Sequence, residues 1–159
     1  MPIVPNNNRI VRRIPHSNDS RLSLALILYP FTPFRIRIIR DSSPEVGLLV
    51  IIQEDERQVP IEFRVCVDGL FFFRYKLRDN GVSYDDEISQ EREEAITMEE
   101  GSIVEFSVDP VTRRVSVAVG ASSFTFETLF PEGAWTIYPV YGFVKGWSDS
   151  AEYELLPPG

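Results

Sequence analysis

The chain has one cysteine, one histidine and two methionines in 159 residues. A single thiol excludes an intramolecular disulfide, and one His with one Cys cannot close a zinc site. His16 lies in a polar N-terminal stretch and Cys66 in an apolar one, so neither a Cys-His nor a Ser-His nucleophilic pair is supported. Gly-rich phosphate loops are missing, and the acids Asp85, Asp86 and Glu87 lack the spacing and obligatory Gly of an EF-hand. Glu93 and Glu94 read as part of a solvated acidic loop rather than as an acid-base pair. These absences predict a protein that is not an enzyme, with no cofactor and no metal.

Long hydrophobic runs are also lacking. None approaches the ~18 residues that a membrane-spanning helix needs, and no membrane partner is expected. The basic start followed by "LSLALILYPF" invites comparison with a secretory leader, but Ser23 and Pro30 interrupt the run and no small-residue cleavage site follows. With its lone thiol, the chain suits a reducing compartment, cytoplasmic or nuclear.

Positive charge is the scarcer sign, 16 Lys and Arg against 24 Asp and Glu, for a net charge of −8. The imbalance is polarised along the chain. Residues 1–40 hold seven Arg and one acid, whereas "DDEISQEREEAITMEE", residues 85–100, holds eight acids and one Arg. Phosphate affinity depends on clustered Lys and Arg, so nucleic-acid binding through the folded body is excluded. Residues 1–21, with three Pro and a triple Asn, read as a flexible basic arm; residues 22–159 read as a single domain.

Apolar residues make up 43% of the chain, enough for a substantial core, and they recur with period two. "FRIRIIR" at 34–40 alternates Phe34, Ile36 and Ile38 with Arg35 and Arg37. "IEFRVCV" sets Ile61, Phe63, Val65 and Val67 on one face, which makes Cys66 a small, mostly apolar strand residue. "GLFFFRYKL" sets Phe71, Phe73, Tyr75 and Leu77 on one face and Phe72, Arg74 and Lys76 on the other. Asp68-Gly69 between the last two runs signals a hairpin. Counting 22–29, 47–52, 103–108, 113–119, 123–127, 135–141 and 151–156 as well, about ten strands are predicted, interrupted by a long acidic loop over 84–100. The fold class that follows is all-β, an antiparallel two-sheet β-sandwich.

In "VEFSVDPVTRRVSVAV", Val104, Phe106 and Val108 share a face, Asp109-Pro110 makes a turn, and Val115, Val117 and Val119 share the return face. With its flanks, residues 101–142 resemble the C-terminal half of the SPRY domain and its neuralized-homology relatives, which are concanavalin-like sandwiches. Gly101, Asp109, Gly120, Phe124 with Phe126, "FPEG" and "IYPVYG" match that pattern, while Ser102 and Val119 depart from the Asp and Asn often found there. The resemblance implies a protein-interaction module, often the partner-recognising part of a larger assembly such as a ubiquitin ligase.

Aromatic residues cluster near the C-terminus. Trp135, Tyr138, Tyr141, Phe143 and Trp147 fall within thirteen residues, and "YGFVKGWSDS" places Lys145 among them in a Gly-bounded loop. Large aromatics beside a cation suit a peptide pocket. The predicted partner-binding residues are Trp147, Lys145, Tyr141 and Phe143, with Tyr84, Asp85 and Asp86 of the acidic loop selecting basic partners. Trp135 is assigned to the core. Two alternatives differ in class: a jelly-roll subunit that forms homo-oligomers through its basic arm, and a galectin-like carbohydrate binder using Trp147 and Glu152.

Overall fold

The computed structural model describes residues 9–12, 21–27, 32–77, 83–132, 139–145 and 150–157. Among these the chain is all-β, with two antiparallel sheets packed as a sandwich and no helix. Twelve strands are described rather than about ten: β1 (Arg9–Arg12), β2 (Arg21–Ile27), β3 (Phe34–Arg40), β4 (Glu45–Glu54), β5 (Arg57–Cys66), β6 (Gly69–Leu77), β7 (Ser83–Glu93), β8 (Ile103–Val108), β9 (Val115–Val119), β10 (Ser122–Thr125), β11 (Val140–Lys145) and β12 (Glu152–Leu156). One sheet runs β1-β12-β3-β8-β9-β10 and the other β2-β11-β4-β5-β6-β7.

Period-two patterning explains the first sheet. Phe34, Ile36 and Ile38 of β3, Val104, Phe106 and Val108 of β8, and Val115, Val117 and Val119 of β9 all turn inward. Outside, Arg35 pairs with Glu105 of β8 at 3.1 Å, and Arg37 pairs with Glu154 of β12. The β8–β9 turn closes as its sequence suggests. Asp109 accepts from the amides of Val111 (2.8 Å) and Thr112 (3.2 Å), and those two bonds hold its carboxyl below the usual carboxylate range.

The two sheets meet through phenylalanines. Phe63 of β5 lies edge-on to Phe126 at 5.4 Å and stacks on Phe130 at 6.0 Å, both from the segment after β10. Gly142 of β11 lets the ring of Phe34 of β3 pack closely against its backbone across the core, because a Cβ there would lie 2.4 Å from that ring. Tyr153 of β12 is fully buried and donates its hydroxyl to Asp41; burial and that bond push its ionisation upward.

Several expectations are corrected by the ladders. Arg9–Arg12, read as part of a flexible arm, pairs with β12, Ile10 opposite Glu154 and Arg12 opposite Glu152. Much of the acidic loop is the strand β7, paired with β6 from Gly69↔Glu93 to Leu77↔Ser83. Acidic residues disfavour strands in isolation, but pairing with β6 supplies the backbone partners that hold this segment extended. Gly142–Lys145, read as part of a Gly-bounded loop after the strand 135–141, instead continue the strand β11 between β2 and β4. Of the strand predicted at 135–141, residues 135–138, Trp135 among them, lie outside the described residues.

Candidate functional site

Strand β5 departs from simple alternation. Ile61, Phe63 and Val65 face the core, yet Glu62 and Arg64, on the opposite face, are buried as well, at 0% and 4% exposure. Two charged residues buried side by side must compensate each other, since desolvation of an isolated charge costs several kcal/mol. Arg64 donates through Nη2 to Glu62 and to the Tyr75 hydroxyl (3.2 Å), and through Nη1 to Glu45 of β4 (3.0 Å). Its guanidinium lies 4.0 Å from the centre of the Phe73 ring and 5.9 Å from that of Phe143. Burial alone would weaken the charge on Arg64, but Glu62, Glu45 and Tyr75 more than offset it and hold the guanidinium above its ordinary range.

This network lies beneath an aromatic column. Phe71, Phe73 and Tyr75 project from the outer face of β6, with ring centres 6.0 and 6.1 Å apart. Their face is opposite to that of Leu70, which is in the core. The column follows from the register: every second residue of β6 faces outward, and all three of these positions are aromatic.

Beside the column, a cleft of about 270 Å³ opens at one end of the sheet. Ser43, Pro44 and Glu45 come from the β3–β4 connection and the start of β4. Cys66, Val67 and Asp68 come from the end of β5 and its turn, and Phe71 and Phe73 form the remaining wall. Val67 is 38% exposed, a large apolar side chain left at the rim. The turn is held tightly. Gly69 has φ +133°, and a Cβ there would lie 2.0 Å from the Arg92 carbonyl oxygen of β7. Cys66 lines the cleft rather than the inter-sheet core, and burial pushes its thiol up, so near neutral pH it is a protonated, weakly reactive wall.

The cleft therefore combines apolar walls with carboxylates of Glu45 and Asp68. Glu45 belongs to both parts, lining the cleft while bonded to Arg64 below. Such a surface can take an apolar side chain and a neighbouring cation. Among the described residues, no group of three or more His, Cys, Asp or Glu is placed to hold a metal ion.

The predicted site residues divide. Lys145 ends β11 opposite Glu45, one strand from the cleft wall. Tyr141 is half-buried further along β11. Phe143 is corrected outright: it is fully buried, enclosed near Arg64 and above Gly47, where it has no surface to offer a partner. Trp147 lies outside the described residues. Tyr84 and Asp85 sit on β7 opposite Lys76 and Tyr75, and Asp86 adjoins them. The sequence reading missed Glu45, Val67, Asp68, Phe71 and Phe73 as site residues. A signal was present in "GLFFFRYKL", where both faces are aromatic although a half-solvated strand needs only one apolar face.

No protein-family model matches the chain, and no curated protein matches it. Among solved structures it is similar to a native glycosidic hydrolase, with 11% identity and a TM-score of 0.39, over 96% of this chain and 77% of that one. Beside this match to a hydrolase, the expectation that the protein is not an enzyme is withdrawn. At that TM-score the likeness assigns no activity to the present chain.

Proposed function

We propose that the protein is a recognition module that takes a short peptide segment of a partner protein in the cleft between the β3–β4 and β5–β6 connections. The observation that carries this reading is the cleft itself, walled by Phe71, Phe73 and Val67 and bordered by Glu45 and Asp68. A ligand segment sets an apolar or aromatic side chain against the phenylalanines and an adjacent Lys or Arg toward the carboxylates. Aromatic walls contribute contact area at small entropic cost, and the acidic border selects against acidic sequences. The likeness of residues 101–142 to the SPRY domain supports the same class of function, because members of that family are interaction modules. Its strands would then be scaffold, and the loops of the other sheet would carry the contact.

The test is a panel of labelled peptides pairing an aromatic residue with Lys, Arg or Glu, titrated by fluorescence anisotropy. Peptides with a basic neighbour are expected to bind, and Phe71→Ala to weaken them about tenfold or more, ~1.4 kcal/mol. Bound peptide should also slow alkylation of Cys66 in the cleft wall. Unchanged affinity in a folded Phe71→Ala protein would sink this reading.

A further inference from the structure

Strand β7 ends its sheet, and among the described residues no strand pairs with its outer edge. It is eleven residues long, which leaves an extended row of backbone donors and acceptors facing away from β6. Two irregularities shape it. Arg92 pairs with Leu70 and Gln90 with Phe71, so Glu91 is skipped; Glu87 pairs with Arg74 and Asp85 with Tyr75, so Asp86 is skipped. The first of these bulges has a visible use. Glu91 accepts from the Thr128 amide at 3.3 Å and from its hydroxyl, and Arg92 lies over the Phe124 ring at 5.5 Å. Those contacts tie the C-terminal end of β7 to the opposite sheet, so the portion of the edge that concerns an added strand is Ser83–Gln90.

That portion carries Asp85, Asp86 and Glu87 and no cation. A bulge interrupts an edge for any added strand, whereas acidic charges oppose an acidic strand and favour a basic one. The molecule already contains such a pairing. Arg9–Arg12, "RIVR", adds antiparallel to the margin of "EYELL", with Arg12 opposite Glu152.

We infer that the outer edge of β7 over Ser83–Gln90 is a second docking surface, on which an extended basic segment of a partner protein adds as a further strand. Main-chain bonds supply affinity and alternate Lys or Arg residues supply selectivity. This surface is separate from the cleft, whose walls belong to β4, β5 and β6 and the connections flanking them.

The experiment titrates the full chain with an Arg-Val repeat peptide long enough to span Ser83–Gln90, with its Glu-Val counterpart, and with an Arg-Val peptide N-methylated at alternate amides. The Arg-Val peptide is expected to bind with an affinity that falls as salt is raised, the Glu-Val peptide not to bind, and N-methylation to weaken binding about tenfold or more. Asp85→Lys with Glu87→Lys should weaken binding of the basic peptide about tenfold or more, and in Phe71→Ala, which removes a wall of the cleft, binding that remains sensitive to amide N-methylation is expected. The N-methyl comparison uses the unaltered protein, so it decides even where the charge-reversed variant fails to fold. Equal binding of the N-methylated peptide would overturn the inference, because attraction to charge alone would then suffice. Loss of binding in Phe71→Ala would overturn it too, by placing the peptide in the cleft. Concentration-dependent dimers without peptide, abolished by Asp85→Lys with Glu87→Lys, would overturn it in favour of pairing between two copies.

Discussion

Arg64 and Glu62 are two residues apart on a strand, so the period-two rule places them on one face. Their burial depends on rings from other strands, Phe73 and Phe143, closing over them. Removing one partner from such a pair leaves a buried charge uncompensated. Arg64→Ala is expected to cost about 3–5 kcal/mol, read as a loss of unfolding free energy in urea. The double variant Arg64→Leu with Glu62→Leu should recover most of that loss, since apolar residues of similar volume need no compensation. A double variant as unstable as Arg64→Ala would show that the ion pair itself stabilises the face. The same-face pair is legible in "IEFRVCV", but its burial is not: sequence periodicity describes one strand, and the cover comes from elsewhere in the chain.

Hairpins show the same division among elements. The β8–β9 turn announces itself through Asp109-Pro110, and the structure bears it out. The β4–β5 hairpin has no such signal. Glu54 pairs with Arg57, leaving a two-residue loop of Asp55 and Glu56 with φ of 49° and 64°. Positive φ at both central positions belongs to the tightest hairpins, where Asn-Gly is the usual signature. Here the long ladder of β4 with β5 imposes the turn on residues that would not choose it. Glu56→Gly should relieve that strain and raise stability by up to about 1 kcal/mol, measured by thermal unfolding. A lower midpoint would indicate that Glu56 holds the turn through its side chain. Pro60, elsewhere a reason to doubt a central strand, is tolerated because β6 pairs with β5 only from Ile61 onward. The acidic strand β7 escaped sequence reading for a related reason: its pairing partner, not its composition, makes it a strand.

At the scale of the whole molecule, Phe63 joins the sheets by touching Phe72 in its own sheet and Phe126 and Phe130 across the core. Phe63→Ala should cost about 3–5 kcal/mol, with circular dichroism and intrinsic fluorescence reporting one shared transition at a lower urea midpoint. Separated transitions would mean that the sheets unfold independently. Alternating apolar residues and turn chemistry determined by themselves that this chain is an all-β sandwich, because period two and punctuation are local properties that each strand carries alone. They also determined the inward faces of β3, β8 and β9. Tertiary structure alone decided that Phe143 is buried, that Arg9–Arg12 joins a sheet margin, that the acidic segment 83–93 is a strand, and that Phe71 and Phe73 meet Glu45 and Asp68 at one cleft. Each of those outcomes depends on which strands become neighbours, and adjacency between distant parts of a chain is set by the packed whole.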